Sequence, residues 1–204
     1  MKYFRLCHIY PGKGYIDGDV RFTPPFERES VTGGYYQVGV PLDLSRRHIS
    51  VTMDSRSIRK LNVDFFSASG AFFASEALAK LVKTYQSDLH AFPADVRYGY
   101  GDGKPTEKTY YLVHADQYLP CFDYKNSEYP RKAMILKQLA IGKNPDDIMI
   151  KVAQSIEIDE VMAAGANYFF LDNVMVLDPI VSESLANAIR EQKLKVCLTD
   201  VCTD

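Results

Sequence analysis

The chain has 204 residues, 47 % of them hydrophobic and 25 % charged, with a formal net charge of −2. That length fits one large domain or two small lobes with a real core, needs no disulfide or metal staple, and gives no basic excess that would make nucleic acid the default partner. No apolar stretch approaches the roughly 20 residues of a membrane span, and the charges and histidine within Lys2–His8 interrupt any signal-peptide core, so a cytoplasmic protein is expected.

Residues 2–10, with Tyr3, Leu6 and Ile9, read as an opening strand. Residues 11–34 are rich in Gly, Pro and charge and read as a long loop holding one short strand. Tyr35 to Val40 and Ile49 to Met53 read as strands. Ser75 followed by Glu76 is a helix cap and first-turn acid, and Leu78, Leu81, Val82 and Tyr85 then share one helical face, so a helix spans about Ser75 to Tyr85. Residues 94–107 read as a loop around Gly99, Gly101, Gly103 and Pro105, and Thr109 to His114 as a strand.

Pro120 and Pro130 bracket a turn-rich stretch. Met134 to Ile141 fits a helix or a strand, because a short apolar run does not disclose its period. Asn144-Pro145-Asp146-Asp147 is a turn. Ile148, Ile150 and Val152 alternate as in a strand, as do Ile156 and Ile158. Asp159 to Ala164 reads as a short helix stopped at Gly165, and Tyr168 to Leu171 as a short strand. Ser182-Glu183-Ser184-Leu185-Ala186 then repeats Ser75-Glu76-Ala77-Leu78-Ala79 at an offset of 107 residues, with Phe-Phe upstream of each at Phe65-Phe66 and Phe169-Phe170. This suggests an internal duplication, although Ser-Glu starts before Leu-Ala helices also recur in unrelated sequences. The expected fold class is α+β, with two similar halves, each a small mostly antiparallel sheet with a Ser-capped helix packed on it. The chain is expected to form a single compact domain over 1–204, with a possible two-lobe organisation of 1–115 and 116–204.

Motifs for catalysis fall short. Ser67-Ala68-Ser69-Gly70 lacks the leading Gly of a nucleophile elbow and reads as a small-residue turn. In Gly99-Tyr100-Gly101-Asp102-Gly103-Lys104-Pro105-Thr106, Pro105 stands where a phosphate loop needs Ser or Thr, and a strand follows where that loop opens a helix. His8, His48, His90 and His114 are far apart, and Asp17-Gly18-Asp19 has Arg28 where a calcium loop needs Glu. Cys7, Cys121, Cys197 and Cys202 form no Cys-x-x-Cys pair and read as reduced thiols. The basic stretch of Arg46, Arg47, Arg56, Arg59 and Lys60 reads as a solvated face. No cofactor or metal is expected.

Residues 98–129 hold seven tyrosines, with five acids against three lysines. Tyr offers contact area with little entropy to lose, and acids steer toward a basic partner. The candidate partner-binding residues are Tyr98, Tyr100, Asp102, Glu107, Asp116, Tyr118, Asp123, Tyr124 and Glu128. The competing reading is that these rings cover a core edge.

Phe72-Phe73-Ala74-Ser75-Glu76-x-Leu78, Cys121-Phe122-Asp123-x-x-x-Ser127, Ile156-Glu157-Ile158-Asp159-Glu160, Tyr168-Phe169-Phe170 and Ile180-Val181-Ser182-Glu183-x-Leu185-x-x-Ala188-Ile189 resemble bacterial polymorphic-toxin immunity proteins, of immunity protein family forty-three and the related family eleven. The resemblance spans roughly residues 60–201. It departs at Lys193-Leu194-Lys195, where a Gly is expected before the last strand. It implies a non-enzymatic protein that binds and neutralises a cognate toxin acting in the cytosol, without nucleic acid or membrane; a basic toxin would suit the acidic tyrosine-rich stretch. It carries over no catalytic residue, and its motif residues look structural. The alternative is a small cytosolic enzyme with a site assembled from Asp159, Glu160 and a histidine.

Overall fold

The computed structural model describes residues 2–8, 18–27, 36–54, 60–99 and 103–201. Its strands are β1 (Tyr3–Cys7), β2 (Gly18–Thr23), β3 (His48–Met53), β4 (Phe65–Ala68), β5 (Ala71–Ser75), β6 (His90–Tyr98), β7 (Lys104–Pro105), β8 (Tyr110–His114), β9 (Tyr168–Phe169), β10 (Ile180–Ser182) and β11 (Cys197–Asp200). Its helices are α1 (Glu76–Tyr85), α2 (Lys132–Ala140), α3 (Glu160–Ala163) and α4 (Glu183–Glu191). The class is therefore α+β, with mostly antiparallel sheets of four and seven strands in which β3 and β6 pair in parallel. The chain forms two compact units: Met1–Leu6, Tyr118–Ala186 and Leu198–Asp204 make the first, and Cys7–Gln117 with Asn187–Cys197 the second.

In the second unit the strand order is β2-β3-β6-β8-β5-β4, with β7 beside β6. β4 and β5 are buried at every residue, so both their faces are covered. Phe66 stacks on Phe73 and Phe65 on Phe72, at ring-centre distances of 5.1 and 5.8 Å. Each such ring is worth about 1.5–3 kcal/mol of burial. Ser69 and Gly70, with φ of 47° and 76°, close the hairpin, which is what Ser67-Ala68-Ser69-Gly70 does. α1 packs on β5 and β8 through buried Leu78, Leu81 and Val82.

In the first unit the strand order is β11-β1-β10-β9. The stretch from Leu119 to Val174 is held by isolated bridges, Leu119 to Leu171, Phe122 to Ile158, Glu128 to Ser155 and Ile150 to Val174. Its core gathers Tyr3, Cys121, Phe122, Ile150, Ile156, Phe169 and Ile180.

One motif occurs in both sheets. Phe65 pairs with Ala74, Phe66 with Phe73, and Ser75 with Tyr110. Likewise Tyr168 pairs with Val181, Phe169 with Ile180, and Ser182 with Tyr3. The serine amides donate to Asp64 O (2.8 Å) and Asn167 O (3.1 Å). The serine Oγ atoms accept from Leu78 N (3.4 Å) and Leu185 N (3.3 Å), capping the helices. The first helical amides, of Glu76 and Glu183, donate to Thr109 O (3.0 Å) and Lys2 O (2.9 Å). Structurally, then, Phe65-Phe66 corresponds to Tyr168-Phe169, one residue earlier than the Phe-Phe pairing suggests. Beyond this motif the two sheets differ in strand number and order.

Three expectations are corrected. Residues 36–40 form a turn, not a strand: Gly39 has a φ of 80°, and its amide donates to Ala115 O at 2.8 Å. Residues 94–107 are not a loop throughout, because β6 runs to Tyr98 and β7 pairs back on it. Gly103 permits that return: a Cβ there would lie 2.0 Å from Tyr98 O. Residues 148–158 make single bridges, not strands, because Ile148, Ile150 and Ile156 enter the core from irregular backbone. The ambiguous segment 134–141 lies almost wholly in α2.

Candidate functional site

The tyrosine- and acid-rich stretch divides between the units. In the second, Tyr98 at the end of β6 is half-buried; its hydroxyl donates to Glu107 Oε2 (2.9 Å) and accepts from Leu61 N (2.6 Å). Burial and the neighbouring Glu107 raise its pKa. Glu107 is held below the usual carboxylate range by its own amide and by Tyr98. Tyr110 is fully buried and donates to Val63 O at 2.7 Å. Asp116 approaches His90 Nε2 at 3.2 Å and His114 Nε2 at 3.3 Å. The His114 ring donates from Nε2 to Val40 O (2.9 Å) and accepts at Nδ1 from Tyr36 (2.9 Å); burial lowers its pKa and keeps it neutral. It thereby fastens the turn at 36–40 to β8. Tyr100 and Asp102 lie outside the described residues.

In the first unit, Asp123 accepts from Lys125 N (2.9 Å), Asn126 N (3.0 Å) and Asn126 Nδ2 (2.6 Å). Burial works to raise its pKa, but the Asn126 and Lys125 bonds win and hold it low. Tyr124 packs among Phe122 and Tyr129, and burial pushes its hydroxyl up to about 12. Tyr129 is buried and donates to Tyr124 O at 2.9 Å. Glu128 is exposed and paired with Lys132 at 2.7 Å. Tyr118 stands 39 % exposed with its ring edge-on to Phe170. The stretch thus builds turns and core edges first, and Tyr118 and Glu128 keep open surface in this unit.

The residues of the enzyme alternative have structural duties too. Asp159 caps α3 by accepting from Val161 N (3.0 Å) and Met162 N (3.1 Å). All four histidines belong to the second unit. Cys121 is fully buried, and its thiol is pushed up to about 12, which leaves it a poor nucleophile. Ser127 donates to Glu157 O and accepts from Glu157 N at 2.9 Å, so Cys121-Phe122-Asp123-x-x-x-Ser127 packs, turns and locks the chain. Among the described residues no His, Cys, Asp and Glu gather as metal ligands, and no helix is long and apolar enough to cross a membrane.

A different surface stands out. The described large apolar side chains that are exposed all lie between Tyr118 and Leu177, in the first unit; Ile141, Met149, Val152, Val161 and Leu177 are each more than half exposed. Several border a groove of about 590 Å³ between α2 and residues 147–152. Arg131, Met134, Ile135 and Gln138, spaced along one face of α2, form one wall. Arg131 begins this helix in the left-handed region, with φ of 64°. The short apolar run at 134–141 does not disclose its period in the sequence. Its usable signal is the methionine and lysine content of residues 130–152, which has five cations against two acids.

Residues 21–198 match the model of a family described as Immunity protein family (Imm11). No curated protein matches the chain.

Proposed function

Since this chain belongs to the Imm11 immunity protein family, we propose that it binds a cognate toxin acting in the cytosol and neutralises it by covering a surface the toxin needs, with no chemical step of its own. The family match over residues 21–198 carries this reading. The concentration of exposed apolar side chains in one unit supports it, three of them (Met134, Met149 and Val152) lining one groove, because exposed apolar surface commonly marks a partner site. Of the tyrosine- and acid-rich stretch, Tyr118 and Glu128 are proposed as outer contacts, where an aromatic ring and a carboxylate suit a basic partner surface. The toxins that fit are those attacking cytosolic targets, such as nucleases, deaminases or nucleotide-modifying enzymes.

The test is affinity recovery of the tagged chain from its native host while the toxin is expressed. Co-purification of a protein bearing a toxin domain is expected. Recovery without any such partner contradicts the reading.

A further inference from the structure

The groove beside α2 combines four features. Its walls present exposed Met134, Met149 and Val152. Arg131, Lys143 and Lys151 in its lining are exposed and make no ion pair among the described residues, whereas Lys132 is already paired with Glu128. Asp147 is the one carboxylate in the lining. Finally, Ile150 spends its amide on Asn173 O (2.8 Å) and its carbonyl on Met175 N (2.9 Å). The N–H and C=O of Met149 and Lys151 have no hydrogen-bond partner among the described residues, so they are free to bond a docked chain.

Resting on the proposed immunity role, we infer that this groove is a docking site for an extended segment of the toxin that carries aliphatic side chains flanked by carboxylates. The unpaired cations favour acidic partners, and this concerns the docking segment alone, not the toxin's net charge. The methionines are soft and adapt to aliphatic groups of varied shape. The free main-chain groups of Met149 and Lys151 offer hydrogen bonds to the backbone of a docked chain. Nucleic acid fits less well, since no lining residue is aromatic and bases would have no ring to stack on.

The test selects a random-sequence peptide library against the intact chain and against Lys143→Glu/Lys151→Glu. A Met134→Ala/Met149→Ala variant serves as a second probe, and melting curves verify the fold of both. Enrichment of peptides with alternating acidic and aliphatic residues is expected. Their affinity should fall at least about tenfold in either variant, and further as salt rises in the parent chain. Enrichment of basic peptides, no enrichment, or binding by both variants as tight as by the parent chain overturns the inference. So does tighter binding of a single-stranded oligonucleotide, or concentration-dependent dimerisation abolished by the same changes. A second arm uses the toxin recovered with the chain. Toxin held equally by parent and variants sinks the groove and leaves the immunity role standing. Acidic peptides bound at the groove with no toxin recovered leave the groove standing and sink the immunity role.

Discussion

In the second unit β4, β5 and β8 carry Ser75 to the start of α1; in the first, β9, β10 and β1 carry Ser182 to the start of α4 in the same register. The node beneath the serine differs. Asp64, nearly buried, accepts from Lys108 Nζ (2.6 Å) and Lys195 N (2.7 Å), and from the Ser75 side chain. Its counterpart is the neutral Asn167, whose Oδ1 accepts from Ser182 Oγ (2.6 Å) and Ser184 Oγ (3.1 Å). One geometry is thus held once by a charge and once by an amide, and the charged version ties in residues far apart in sequence.

The largest expected effect follows from that difference. Asp64→Ala should cost about 3–5 kcal/mol in a denaturant titration, because it strands a partly buried lysine and frees the Lys195 amide. Asn167→Ala should cost only about 1–2 kcal/mol. Equal costs would dissolve the contrast.

Acid sharpens it. Burial alone would raise the Asp64 pKa, but bonds from Lys108, Ser75 and Lys195 outweigh burial and lower it. A carboxyl with a lowered folded pKa gives stability that is present above its unfolded value of about 3.9 and lost as pH falls through the folded value. Stability should therefore drop on acidification below about pH 4. Asp64→Asn, less stable at neutral pH, should show a flatter acid limb. An unchanged limb in Asp64→Asn would remove Asp64 as its cause.

Ser75→Ala and Ser182→Ala should each cost about 1 kcal/mol, since each deletes one N-cap acceptor. A silent substitution at either site would show that the caps are not equivalent.

The smallest effect concerns helix ends. α2 closes with Gly142 at a φ of 89°, its amide on Leu139 O and that of Lys143 on Gln138 O. α4 closes the same way at Lys193, at a φ of 54°, with Lys193 N on Arg190 O and Leu194 N on Ile189 O. The lysine, standing where the family resemblance leads one to expect a glycine nearby, holds a conformation that glycine adopts without strain. Lys193→Gly should raise thermal stability by about 0.5–1 kcal/mol. A loss would show that the lysine side chain has a contact role.

Local chemistry was the legible part of the sequence. The Ser75 cap with the Leu78, Leu81 and Val82 face, and the Asp159 start of α3, depend on neighbours a few residues away. β6 was hidden because Pro93 and Asp95 interrupt it and Val96 is its one buried residue, so no alternation shows. α2 was hidden because only Ile135 is buried, while Met134 and Ile141 point outward. The tyrosine stretch was the least legible. Whether a ring fills a core, as Tyr110 does, or meets solvent, as Tyr118 does, depends on strands distant in sequence.

The direct test of the immunity role is a titration of the purified toxin's activity with this chain. Neutralisation by occupancy gives inhibition that rises with added chain and completes at a fixed stoichiometric ratio, with toxin and target chemically unchanged. Loss of toxin activity at strongly substoichiometric chain, accompanied by a modified toxin or target, would contradict it and make the chain an enzyme.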